Sequence, residues 1–287
     1  MIKLADYLPQ IEDLIDRALE EDLASGDITT DSLIPPHAKG KANFLSKSTG
    51  IVAGLELAGM VFLKVDPFLK FSILVADGAT VKQNDVLASV SGNVADILKA
   101  ERTALNFIQH LSGVATLTAR YVELVKGLPV KILDTRKTVP GLRILEKYAV
   151  SVGGGTNHRL GLGDMVLIKD NHVAILRKGG LGIQEIIRQA RSKSARNIKI
   201  EIETSNPEDA LAAANAGADV IMLDNMRLDD MRRAVELIKH KAILEASGGV
   251  NLDTVRAIAE TGVDWISVGA LTHSARALDI SLELAEF

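Results

Sequence analysis

The spacing of apolar residues changes twice along the chain, and each change marks a different kind of structure. Ile11, Leu14, Ile15, Ala18 and Leu19 recur at three- and four-residue steps with acids between them, which predicts an amphipathic helix over 9–22. The following ASGDITTDSLIPP reads as a loop: Gly26, then Asp and Thr side chains able to bond nearby backbone, then Pro35-Pro36. From Lys41 to Val90 the period shortens. KANFLSKSTGIVAG and FSILVADGATVKQNDVLASVSG alternate, punctuated by Asp77-Gly78 and Asn84-Asp85, and predict small antiparallel β structure with LELAGMVFLKV as a helix between them. Residues 94–126 read as a long helix broken near Ser112-Gly113.

From Val130 the rhythm changes again. Six apolar runs, VKILDT, MVLIKD, IKIEIET, VIMLDN, AILEAS and WISVGA, are separated by segments of helical character. Glu203, Asp224, Ala246 and Val268 lie 21, 22 and 22 residues apart, the length of one strand, loop, helix and loop. Such βα repetition implies a parallel sheet with right-handed crossovers. The span 130–270 is too short for an eight-stranded barrel of ~250 residues. No G-x-G-x-x-G follows a strand, so a reduced barrel of six or seven strands fits better than an open doubly wound sheet.

Composition sharpens this picture. The 287 residues are 47% hydrophobic but only 3% aromatic, an aliphatic core suited to parallel strands covered by helices. The absence of cysteine removes disulfides, thiolate metal sites and Cys nucleophiles. The acidic, amphipathic start lacks a signal-peptide core, and no run approaches ~18 apolar residues, so the expectation is a cytoplasmic protein without membrane contact. Thirty-three basic against 37 acidic residues, with three Tyr and one Trp, disfavour nucleic-acid binding. Residues 133–172 reverse that balance, with six Lys or Arg and two His against four carboxylates. A local cation cluster in an acidic chain suits a small anion.

In barrels the reactive groups sit where strands end. Those positions hold Asp134-Thr135-Arg136-Lys137, Lys169-Asp170, Glu203-Thr204, Asp224-Asn225, Ser247-Gly248-Gly249 and Gly269-Ala270. Arg136, Lys137, Arg159 and Lys169, with His158 nearby, can neutralise carboxylates or phosphates. Glu203 and Asp224 can hold Mg²⁺, bond sugar hydroxyls or stabilise a positive sugar. Backbone N–H groups at Ser247–Gly249, before the LDTVRAIAETG helix, and at Gly269-Ala270, before LTHSARAL, can face phosphate. Lys169 reads two ways, as an ion-pair partner of Asp170 or Glu203 or as an imine-forming amine. A non-catalytic anion binder could use the same rim, although it gives Glu203 and Asp224 no task.

AERTALNFIQHLSGVAT, LDTRKTVPGLRILEKYAV, GGGTNHRLGLGDMVLIKDNH, IEIET, VIMLDN, EASGG and ISVGALTHS occur in this order. Together they make nearly the whole chain resemble the quinolinate phosphoribosyltransferases, type II phosphoribosyltransferases of NAD biosynthesis. The resemblance implies an amino-terminal open α/β sandwich over 1–110, with helical residues 272–287 packing back on it. It also implies an incomplete β/α barrel of about seven strands over 111–271. It implies a homodimer or higher oligomer in which Arg102 crosses the interface. By the same likeness Arg102, Thr135, Arg136, Lys137, His158, Arg159 and Lys169 would hold quinolinate. Glu203, Asp224, Ser247, Gly248, Gly249, Val268, Gly269, Ala270 and His273 would hold phosphoribosyl pyrophosphate. Glu203 and Asp224 would face Mg²⁺, catalysis would fall to Lys169, Glu203 and Asp224, and Lys169 becomes a charge partner. His110 receives no role.

Overall fold

The computed structural model describes residues 2–285. In chain order a 3-10 turn (Leu4–Tyr7) precedes α1 (Leu8–Leu23), α2 (Ile28–Leu33), β1 (Lys39–Ser46), β2 (Gly50–Ile51) and α3 (Leu55–Val65). Next come β3 (Lys70–Ile73), β4 (Thr80–Val81), β5 (Val86–Asn93), α4 (Val94–Leu124), β6 (Lys131–Leu133) and α5 (Arg143–Val152). Then β7 (Val166–Ile168), α6 (Asp170–Lys178), α7 (Ile183–Lys193), β8 (Ile200–Thr204), α8 (Pro207–Asn215) and β9 (Val220–Asp224) follow. The last are α9 (Leu228–Ile238), β10 (Ile243–Ser247), α10 (Val255–Ala259), β11 (Trp265–Ser267), α11 (Ala270–His273) and β12 (Ile280–Leu284). Two compact units result: Met1–Ala119 with Val139–Gly154 and Leu271–Phe287, and Arg120–Thr138 with Gly155–Ala270. Residues 111–119 and 139–154, expected in the barrel, group with the first unit instead, and the segment expected as helix after residue 272 carries the strand β12.

In the first unit β12, β1, β5 and β3 form an antiparallel sheet in that order. Phe44 of β1, Phe62 of α3 and Phe71 of β3 meet with ring centroids 5.7–5.8 Å apart, so three of the chain's few aromatics fix the helix on the sheet. Ile11, Ile15 and Leu19 bury the predicted stripe of α1. Two local expectations change. Within the stretch read as a loop, Asp27 accepts the Thr30 N–H at 3.0 Å and caps the short helix α2. The helix expected to break near Ser112-Gly113 runs unbroken for 31 residues as α4. Gly113 is there for space, because a Cβ would lie 2.2 Å from the Arg276 carbonyl oxygen. His110 meets the fully buried Glu146 of α5 at 2.8 Å, and Glu146 also accepts the Val139 N–H.

The second unit is a parallel six-stranded sheet in the order β6-β11-β10-β9-β8-β7, one strand for each apolar run. That order is circular. Sequence neighbours from β7 to β11 pair in turn, and the last strand pairs with the first, β6; only β6 and β7 are left unpaired with each other. On the open side of β6, Thr156 makes a single parallel bridge to Leu133, the rudiment of a seventh strand. This is an incomplete β/α barrel. Asp219 and Asp264, each just before a strand, accept the Ile200 and Leu244 N–H groups at 2.7 and 2.8 Å and tie adjacent strands at their amino ends. Among the described residues no helix is long and apolar enough to cross a membrane.

Candidate active site

Side chains of a strand alternate between its faces, so every second residue points into the barrel. On β8, Ile200, Ile202 and Thr204 alternate with Glu201 and Glu203; on β10, Leu244 and Ala246 alternate with Glu245 and Ser247. The apolar set is buried on the helix side. Of the polar set, Glu203, Glu245 and Ser247 line a cavity of about 310 Å³ at the carboxyl ends of the strands. Glu203, Asp224 and Ser247 enter it from β8, β9 and β10, and Lys169 from the end of β7. Thr135, Arg136 and Lys137 come from the loop after β6, and His158 and Arg159 from the loop after Thr156.

Local bonds hold these groups in place. Buried Asp134 accepts the His158 N–H at 2.9 Å and the Asn157 amide at 2.7 Å, pinning the loop that carries His158 and Arg159. Thr135 Oγ1 accepts the Lys137 N–H at 3.0 Å. The Arg136 Nε–H is buried without a hydrogen-bond partner, a donor kept for something that enters the cavity. Arg159 donates from Nη1 to the Met165 carbonyl at 3.4 Å. Burial pushes the Arg159 guanidinium down, and the like charge of Arg136 adds to this, while Glu201, Asp164 and Glu203 oppose it.

Across from them, Glu203 Oε2 accepts the Asp170 N–H at 2.9 Å, and its Oε1 lies 3.9 Å from Lys169 Nζ. Asp224 Oδ2 accepts from the Asn225 amide at 3.0 Å. Lys169 is therefore a charge partner of Glu203. Its ammonium has a carboxylate beside it and a half-exposed side chain, not the dry apolar pocket that lowers an amine for imine chemistry.

His158, expected to hold a substrate carboxylate, lines the cavity and also faces two of the protein's own carboxylates. Its side chain is 7% exposed, and Nε2 lies 3.2 Å from Glu201 Oε2 and 3.3 Å from Glu245 Oε2. Nδ1 accepts the Arg159 N–H at 2.8 Å. Burial pulls the ring down, but hydrogen bonding to Glu201 and Glu245 and their charge outweigh it and push it up. The carboxylates favour a proton on Nε2, which faces them, while the Arg159 N–H opposes a second proton on Nδ1. Burial likewise pushes Glu201 up; His158 pulls it down and Glu245 pushes it up again. These three residues have the makeup of a metal site. However, a metal on Nε2 would move the ring proton to Nδ1, where the Arg159 N–H already points.

Glu201, Glu245 and Ser267, whose hydroxyl donates to Glu245, were not singled out from sequence. The period of two carried the signal: an acid two residues before Glu203, and another two before Ser247, inside otherwise apolar strands. Gly248 and Gly249, at φ +90° and +62°, continue from Ser247 without lining the cavity. Their amides form a loop rather than a helix start, since α10 begins only at Val255. A Cβ at Gly248 would lie 2.2 Å from Asn225 Oδ1. Val268, Gly269 and Ala270 follow Ser267, and the expected LTHSARAL helix shrinks to α11. Arg102, exposed on α4, and His273, whose Nδ1 meets Ser274 Oγ at 2.7 Å, belong to the first unit.

Two family models match the chain: quinolinate phosphoribosyl transferase, C-terminal domain, over residues 114–283, and its N-terminal domain over 27–112. A probable nicotinate-nucleotide pyrophosphorylase (carboxylating) of Synechocystis is 41% identical over 277 residues, 96% of this chain and 92% of that one. The protein of the same description from Bacillus subtilis is 40% identical over 96% and 93%. The crystal structure of NadC from Streptococcus pyogenes superposes with a TM-score of 0.92 at 40% identity, covering 97% of each chain. Matches of this extent, over both units and the whole cavity, show that the chain belongs to the quinolinate phosphoribosyltransferase family of enzymes.

Proposed function

We propose that the protein transfers the phosphoribosyl group of phosphoribosyl pyrophosphate to quinolinate and releases CO₂ and pyrophosphate, giving nicotinate mononucleotide for NAD synthesis. The observation that carries this reading is a cavity with cations on one wall and Glu203 and Asp224 on the other, in a member of this family. Arg136, Lys137 and Arg159 suit a planar dicarboxylate, since guanidinium forks match carboxylates. Glu203 and Asp224 suit the ribose. The pyridine nitrogen bonds to the anomeric carbon as the bond from that carbon to the pyrophosphate oxygen breaks, and the two carboxylates stabilise the positive sugar between those events. The ring nitrogen, now quaternary, draws the electron pair of the breaking C2–carboxylate bond onto C2, and a solvent proton completes that carbon. The walls orient and neutralise, and no side chain has to move a proton.

Mg²⁺ fits the donor set. Two hard carboxylates, each bonded to neighbours through one oxygen, match an ion that keeps its waters and takes further oxygens from substrate phosphates. Glu203 and Asp224 would hold it, and it would neutralise the departing pyrophosphate. The backbone amides of Ser247–Gly249 and Val268–Ala270, with His273, would receive phosphate groups. A second copy of the chain would lend Arg102, which stands exposed on α4, to the quinolinate end.

The test measures CO₂ and pyrophosphate from quinolinate and phosphoribosyl pyrophosphate, with and without Mg²⁺ and with nicotinate as control. Equal amounts of both products, only with quinolinate and lost on chelation, are expected. Arg136→Ala and Lys169→Ala should remove most of the turnover and leave the fold intact; near-normal turnover in either overturns the site assignment. A folded wild-type enzyme that releases neither product overturns the function.

A further inference from the structure

At the wall of the cavity, where His158 and Glu245 line it, lies a cluster that the reaction above does not use. Glu201 and Glu245 are both fully buried, and His158 is nearly so. Glu245 receives the Ser267 hydroxyl on Oε1. Its Oε2, both oxygens of Glu201 and His158 Nε2 make no hydrogen bond of good geometry, and Nε2 lies 3.2 Å from Glu201 Oε2 and 3.3 Å from Glu245 Oε2. Two adjacent buried carboxylates are costly to keep, and replacing them by apolar side chains of like volume would be no loss to stability. A barrel interior that retains them has a use for them.

The bonds around the ring point to that use. Nε2 lies between the two carboxylates, one on β8 and one on β10, so the ring is held from two strands. Nδ1 accepts the main-chain N–H of the next residue, Arg159. The position of the ring and the path of the backbone at Arg159 are therefore one constraint. Arg159 then reaches the cavity wall with its guanidinium held on the Met165 carbonyl.

Resting on the function proposed above, we infer that Glu201 and Glu245 are positioning residues that act through His158 to aim the Arg159 guanidinium at the carboxylates of the acceptor. Nδ1 is bonded to the Arg159 amide and Nε2 is enclosed by two carboxylates, so His158 serves as a strut. The pair contributes to acceptor binding, and neither residue touches the phosphoribosyl donor.

Steady-state kinetics of the full-length enzyme test this. Glu201→Ala and Glu245→Ala should each raise KM for quinolinate at least tenfold and leave KM for phosphoribosyl pyrophosphate within twofold. Glu201→Gln, which keeps an oxygen acceptor for Nε2–H without the charge, should return KM for quinolinate to within about threefold of wild type. Should the alanine variants fail to fold, Glu201→Met fills the same volume and must show the same rise in KM. Nitrogen NMR of the histidines reads the strut without turnover: the His158 Nε2–H should be protected from exchange in the wild type and lose that protection in Glu201→Ala. A rise in KM for both substrates, a Gln variant as impaired as Ala, or a metal ion bound in stoichiometric amount and lost in Glu201→Gln overturns the inference. An active wild type with Glu201→Ala unchanged overturns the strut alone. A wild type silent with these substrates overturns the function on which it rests.

Discussion

At the scale of single residues, placement matters more than identity. Asp77 accepts the Gly54 and Leu55 N–H groups at the start of α3 and the Tyr148 hydroxyl at 2.6 Å. Burial pushes the Tyr148 phenol up, and its hydrogen bond to Asp77 and that residue's charge push it further. Tyr148→Phe removes one charge-assisted bond and should cost about 1.5–3 kcal/mol at pH 8, measured by denaturant unfolding. The sign of the pH dependence follows from the shift. Below its unfolded value of about 10 the phenol is protonated in both states, and the contribution is whole. As pH rises past that value the unfolded chain ionises first, so the wild type loses stability and its advantage over Tyr148→Phe shrinks by pH 11. A constant advantage from pH 8 to 11 would contradict this. The same lesson holds in the cavity, where Arg136 and Lys169 were legible because they stand at strand ends. His158 was legible as a site residue but not in its partners, since the Arg159 amide and the two glutamates reach it only through the fold.

At the scale of elements, glycines separate what pattern reveals from what packing demands. Gly113 sits within α4, where a helix interior disfavours glycine by up to about 1 kcal/mol, and sequence alone read a break. The close approach of the Arg276 backbone explains the residue and keeps the helix whole. Gly113→Ala should lower stability by about 1–3 kcal/mol, since the clashing atoms are backbone and cannot swing aside. Gly163→Ala, with nothing within 4 Å of its Cβ, should stay within about 0.5 kcal/mol. Equal melting temperatures for the two variants would refute the packing account. The strands were the most legible elements, because all six apolar runs are strands and their alternation sets which acids face inward. The short helices were less so: α2 hid in a polar stretch, and α10 and α11 came out shorter than their amphipathic pattern.

At the scale of the molecule, chain order and spatial order part company. The last strand, β12, pairs with β1 from Ala42↔Leu284 to Ser46↔Ile280, and Glu283 bonds Lys47. A chain ending at Asp279 should expose the β1 edge, melt at lower temperature and scatter light on heating, because an unpaired edge recruits other strands. Unchanged melting and no added scatter would count against that role for β12. Residues 139–154 likewise fold with the first unit although they lie between β6 and β7 in sequence. That excursion falls between the two strands that do not pair with each other.

By itself the sequence determined the alternation of apolar runs, the constant βα step and the polar residues at strand ends, and from these the barrel and most of its cavity follow. These are local facts, since period and spacing are properties of neighbouring residues. Only the tertiary structure decided that Glu201 and Glu245 meet His158, that Gly113 serves Arg276, and where the ring of strands stays open. The first two are meetings of residues 43 to 163 positions apart in the chain, and all three follow from strand register and close packing, which no local pattern encodes.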